Sequence, residues 1–232
     1  MLNSRVNKTL PADATEITQS LVKHWRPQHI KIRSTLYDYG LNRKSGAVRN
    51  SRIQPAVLPI LWQSAFKGHL VSSIDELAKM MMSHPQYKGI LNKQGNPISD
   101  RVRKSTFRGA TDDEILLGRL QNMLFGHWRE IDSSAKFIIY GQPYGGKVYY
   151  SPSNDLSLGV DLFYVDGEVI LGFAVRHTGT GSEEHESTRK YKKGVNVITL
   201  RAPQSGKQLN LVDEKDIKNH VEKARQSQTA SN

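Results

Sequence analysis

The residues best placed to do chemistry together are Asp161, on the run VDLFYV, and positions 174 and 176, on the run EVILGFAV that follows. Asp166-Gly167 joins the two runs and suits a two-residue type I′ turn, so the chain is expected to return alongside itself as a hairpin. Side chains alternate along a strand, which puts 174 and 176 on one face of the returning strand. A carboxylate on one strand and a second on its neighbour can hold Mg²⁺ through oxygen ligands, and a cation two residues further along can meet a phosphate. Here position 174 is alanine and position 176 is arginine. Alanine offers a metal no oxygen. Arginine keeps the charge but cannot deprotonate to act as a base.

Several elements must position these residues. TDDEILLGRLQNMLFGHW has Ile115, Leu116, Leu120, Met123 and Leu124 at helical spacing, with Thr111 or Asp112 as cap. AKFIIYG and KVYYS are expected as short strands joined through Gln142–Gly146. SEEHESTRKYKKG is helix-compatible, VNVITL is a buried strand by its β-branched content, and DEKDIKNHVEKARQ is a closing helix. The order is helix, four strands, helix, strand, helix, which predicts an α/β fold with a mixed central sheet flanked by helices.

The N-terminal half is less regular. A helix is expected from Ala12 to Trp25, ended by Pro27. A turn-rich basic segment follows, with Arg26, Lys31, Arg33, Arg43, Lys44, Arg49 and Arg52 around Tyr37 and Tyr39. Cations interleaved with aromatics suit phosphate contact and base stacking, and a solvated loop explains them equally well. AVLPILWQSAF is an apolar patch bent by Pro59, and IDELAKMMM is a helix capped by Ser72 or Ser73 with Ile74, Leu77 and Met81 facing inward. HPQYKGILNKQGNPISDRVRKSTFRGAT reads as a turn-rich hinge. The expected division is a mostly helical basic region over 1–110, an α/β domain over 111–225 and a disordered tail over 226–232.

Bulk properties narrow the partner. The 232 residues carry 33 Lys+Arg against 22 Asp+Glu, a net +11. Such a surplus attracts phosphate polymers. There is no cysteine, hence no disulfide, thiolate nucleophile or cysteine-held metal, which fits a cytoplasmic location. No apolar run approaches the ~18 residues of a membrane span, and no signal peptide is visible, so membrane partners are not expected.

The order and spacing over residues 111 to 200 resemble the PD-(D/E)xK nuclease superfamily, which sets an Asp on one strand and Glu-x-Lys on the next. Asp161 matches the motif aspartate, Ala174 stands at the glutamate, Arg176 at the lysine, and Glu114 matches the acid of the preceding helix. The resemblance implies a restriction-endonuclease-like fold and metal-dependent hydrolysis of DNA, with RNA as the other candidate substrate. It implies Mg²⁺ or Mn²⁺ held by Glu114, Asp161 and the Val175 carbonyl, with Arg176 on the phosphoryl oxygens and His177, Arg189 and Lys190 near the nucleic acid. Activity is expected to be weak or absent, because residue 174 is alanine. Oligomeric state stays open, a dimer or a larger complex included. A rival reading is an NAD-dependent ADP-ribosyltransferase, using Arg108, Ser151 with Ser153, and Glu184 with Glu186. A third is a non-enzymatic basic nucleic-acid-binding module.

Overall fold

The computed structural model describes residues 9–23, 51–92, 94–106, 110–177, 197–202 and 211–229. They fall into two compact units, one formed by Met1–Arg26 with Trp128–Asn232 and one by Pro27–His127. The first holds a five-stranded sheet of order β1-β4-β5-β6-β7. Its strands are β1 (Thr15–Glu16), β4 (Lys147–Tyr150), β5 (Leu162–Asp166), β6 (Val169–His177) and β7 (Val197–Ala202). All neighbouring pairs are antiparallel except β6 and β7, which run parallel. The protein is therefore mixed α/β with a helix-flanked mixed sheet, as the residue pattern predicts.

The β5–β6 hairpin forms as expected but turns one residue later than Asp166-Gly167: Asp166 still pairs with Val169, so Gly167, at φ +55°, and Glu168 make the two-residue loop. The face bearing Tyr164 and Phe173 is covered by a long helix, α5 (Asp112–Gly141), and by the closing helix α7 (Glu214–Thr229). Phe137 stacks on Tyr164 at 5.2 Å and tilts against Phe173 at 4.7 Å, while His220 meets Phe173 edge-on at 5.3 Å. Aromatic contacts at these separations add to the stabilisation from apolar area removed from water.

The second unit contains α2 (Val57–Phe66), α3 (Ile74–Met82), α4 (Asp100–Thr106) and the small antiparallel pair β2 (Ser51–Ile53) with β3 (Ile90–Asn92). Pro59 does not bend α2; it lies in the first turn, where its missing N–H costs nothing. Ser73 caps α3 by accepting the Glu76 N–H, and Ile74, Leu77 and Met81 are buried. The expected hinge over 84–111 instead carries β3 and α4.

Four further expectations are corrected. AKFIIYG is the last two turns of α5, not a strand: residues 130–138 are buried all round, and such a helix shows no period to separate it from a strand. The helix expected from Ala12 shrinks to α1 (Gln19–Lys23), because Thr15–Glu16 pair with Tyr149–Tyr150 and Ile17 N–H donates to the Val148 carbonyl. That pairing also draws residues 9–23 into the sheet's unit, and the division between units falls inside α5 rather than at residue 110. The tail is helical to Thr229, where Gln228 docks on the main-chain carbonyl and carboxylate of Asp166. A short helix not foreseen, α6 (Pro152–Leu158), is capped by Ser151. Among the described residues, no helix is long and apolar enough to cross a membrane.

Candidate functional site

The structure brings Asp161, Ala174, Val175 and Arg176 together. Asp161 immediately precedes β5, and its N–H donates to the Phe173 carbonyl at 2.8 Å. Its carboxylate oxygen Oδ2 accepts the Val175 N–H at 2.6 Å, so the acid brackets Ala174 on the neighbouring strand. The same oxygen accepts Arg176 Nη1 at 2.6 Å. Arg176 also donates from Nη1 to its neighbour's Val175 carbonyl at 3.1 Å and from Nη2 to the Gly159 carbonyl at 2.9 Å. Gly159 ends α6 at φ +69°, a left-handed conformation that glycine adopts without a steric penalty, and this aims its carbonyl at the guanidinium. The Asp161 side chain is 3% exposed and that of Arg176 32%, so the acid is sealed under a cation that still reaches solvent.

Two side chains not singled out in the sequence complete the cluster. Tyr150 Oη donates to Asp155 Oδ2 at 2.8 Å, with Asp155 supplied by α6. Burial, and then the charge of Asp161, push the Asp155 carboxyl up to about 7, against the pull of Tyr150 and Arg176. Burial likewise raises Asp161, and Arg176 and the Val175 N–H act against it. The geometry makes Asp161 the ionised member: its Oδ2 accepts two donors, one of them a permanent cation, and the proton that the two acids retain near neutrality resides on Asp155. The Tyr150 hydroxyl is held neutral by burial and by the charges of Asp155, Glu130 and Asp161.

Glu130, a buried acid of α5, is thus the helical carboxylate whose charge reaches this cluster. Glu114 serves another end. Its carboxylate accepts the Thr111 N–H at 2.8 Å while Thr111 Oγ1 accepts the Glu114 N–H at 3.2 Å, a reciprocal cap on α5. The sequence signal available was the acid-bearing stretch after Trp128, masked by the reading of residues 135–141 as a strand.

The expected metal ligands do not fit a divalent cation as they stand. Asp161 Oδ2 and the Val175 carbonyl both already accept Arg176 Nη1, so a guanidinium lies where the two oxygens converge. Ala174 adds only a methyl group. No group of three or more metal-ligating side chains is found among the described residues.

Of the expected nucleic-acid contacts, Arg52 is exposed on β2, and its charge acts with burial to lower the pKa of Arg119 on α5. His177 is the last residue of β6. Arg26, Lys31, Arg33, Arg43, Lys44, Arg49, Arg189 and Lys190 lie outside the described residues, as do Arg108, Glu184 and Glu186 of the transferase reading. Ser151 and Ser153 are engaged with Asp13, donating to Oδ1 at 2.6 and 3.0 Å, and Ser151 also caps α6. These bonds tie the N-terminal segment to the sheet and give the serines a structural role. In comparisons with known proteins, the chain matches no family model, no curated protein and no solved structure.

Proposed function

We propose that this protein binds DNA through a nuclease-like α/β frame whose cleavage centre is replaced by an ion pair, so that it binds without cutting. The observation that carries the reading is the Asp161–Arg176 pair, with Asp161 at the entry to β5 and Arg176 on the adjacent β6, where a phosphodiesterase of the resembled kind would hold its metal. The net charge of +11 supports a polyanionic partner, because each phosphate neutralised releases counterions whatever the base sequence. Holding Asp161 with Arg176 gives up a metal-bound nucleophile but keeps a cation facing solvent beside the strand ends. DNA is named over RNA on the resemblance to the nuclease superfamily.

The test pairs binding with cleavage. Fluorescently labelled duplex DNA is titrated with the full chain across a KCl series, and supercoiled plasmid is incubated with Mg²⁺, Mn²⁺ or EDTA. The expected result is salt-sensitive binding and no cutting under any condition. Ala174→Glu is expected to remain unable to cut, because Arg176 stays on Asp161. Metal-dependent cutting by the unaltered chain would overturn the ion-pair reading, and absence of binding at low salt would overturn the DNA reading.

A further inference from the structure

Two arginines of the 27–127 unit repel each other with no acid among the described residues to balance them. Arg52 is the central residue of β2, paired with Leu91 of β3, and it is exposed. Arg119 lies on the part of α5 that belongs to this unit. It stands in sequence between the buried Leu116 and Leu120 and is itself half-buried. Burial disfavours the Arg119 charge, the charge of Arg52 disfavours it further, and no acid acts the other way. Among the described residues, neither guanidinium makes a hydrogen bond or an ion pair. The acids of this stretch of α5 stand in its first turn, where Asp112 and Asp113 act on Tyr87 and Glu114 caps the helix with Thr111.

Such an arrangement works against folding. Taking a cation out of water is unfavourable unless it is paired, and a like charge within reach adds to the cost. Arginine cannot shed its proton to escape. An anion with several oxygens removes both penalties, because it pairs each guanidinium and separates their charges. Phosphate suits the position better than a carboxylate, since its oxygens diverge and can accept forked donors from a strand and a helix together. Partial burial also restricts the Arg119 side chain before any ligand arrives, so less freedom is lost on binding.

We infer that Arg52 and Arg119 form a two-arginine site for a phosphate group, filled by a backbone phosphate of the bound nucleic acid. The inference rests on the DNA-binding reading for its ligand and assigns that reading a contact in the 27–127 unit. Arg52 is the exposed member of the pair, and Arg119 is the half-buried member whose charge gains most from being paired. The two guanidinium groups supply the positive charge, so the contact needs no metal. The site favours the complex over the empty protein: removing either charge relieves repulsion in the one and loses a phosphate contact in the other.

The test uses the full chain with Arg52→Gln, with Arg119→Met, which removes the charge and keeps an unbranched stem, and with both together. Lys79→Gln on the exposed side of α3 controls for general charge loss. Affinity for a labelled duplex is measured against KCl, and the thermal midpoint is measured without DNA. Each single variant is expected to weaken binding about 3- to 10-fold. The double variant should lose less than the product of the two, because both cations act on one phosphate. Its slope of log affinity against log salt should fall by about one, the value for one phosphate given up. Neither single variant should lower the midpoint, and Lys79→Gln should change affinity less than twofold. If Arg119→Met fails to fold, Arg52→Gln, at an exposed position, still decides by its affinity. Binding by the unaltered chain that both single variants match would sink this inference alone. So would losses that multiply in full, the mark of two separate phosphates, or a midpoint lowered by both variants, the mark of arginines that support the fold. No binding by the unaltered chain would sink it together with the DNA reading.

Discussion

Arg176 sets the energetics of the cluster because of what it leaves behind when removed. Asp161 is buried, and its carboxylate is supported by one main-chain N–H and one guanidinium. Deleting one partner of a buried pair strands the other charge at a cost of about 3–5 kcal/mol, whereas replacing both partners by neutral groups is often close to neutral. Arg176→Leu is therefore expected to lose stability of that order in urea denaturation, and Asp161→Asn with Arg176→Leu to regain most of it. If the double variant proves no more stable than the single one, the pair is not what holds the strand ends together. Arg176→Lys should fall between, because one ammonium cannot reach Asp161, Val175 and Gly159 in the geometry of the guanidinium fork.

At the scale of elements, α5 is fitted to the sheet by a glycine at its end. Gly141 abuts Tyr164, and a Cβ there would lie 2.6 Å from the Tyr164 ring and hydroxyl. Tyr164 is fully buried and stacked on Phe137, so it cannot swing aside. Alanine is the better helix former by about 1 kcal/mol, but overpacking a closed core costs about 1–3 kcal/mol, and the clash prevails. Gly141→Ala should thus lower the thermal midpoint. Gly126→Ala on the same helix meets nothing within 4 Å and should raise stability by up to about 1 kcal/mol. Equal effects at the two positions would contradict this packing account. The same helix marks how far the sequence could be read. The hairpin over 162–177 was legible, since alternation and Asp166-Gly167 are local signals, as was α3 from its Ser73 cap. The end of α5 was not, because a helix buried on every side carries no periodicity. Nor was β1, whose two residues are strand only because Tyr149 and Tyr150 lie beside them. Asp161, Ala174 and Arg176 could be placed near one another from spacing. The choice between Glu114 and Glu130 depended on where α5 meets the sheet, which is a tertiary matter.

Across the whole molecule, pH should act on the two units in opposite directions. In the 27–127 unit, His127 is buried with Trp62 edge-on at 4.9 Å, and burial pushes its pKa down to about 3. The unfolded chain takes up that proton near 6.5 and the folded chain does not, so stability is complete above pH 6.5 and is lost progressively as pH falls. Between pH 6.5 and 4 the loss is about 3 kcal/mol at 1.4 kcal/mol per unit. Glu76, whose carboxyl is lowered by bonds from Ser72 and His69 that outweigh its burial, adds to the loss in more acidic solution. In the sheet's unit, Asp155 does the reverse. Its folded pKa of about 7 lies above the ordinary 3.8, so the folded state holds the proton more tightly. Its contribution is fully present below pH 3.8 and disappears as pH rises to 7, on the order of 2 kcal/mol after allowing for partial exposure. Hydrogen exchange at pH 5 and pH 8, corrected for intrinsic rates, can follow each unit separately. Acidification should lower the opening free energy of amides in α2 and α3 and raise that of amides in β5 and β6. Asp155→Asn should stabilise β5 and β6 at pH 8 and abolish their gain on acidification, and His127→Leu should flatten the response of α2. Changes of one sign in both units, surviving in both variants, would show that neither buried group governs the pH response.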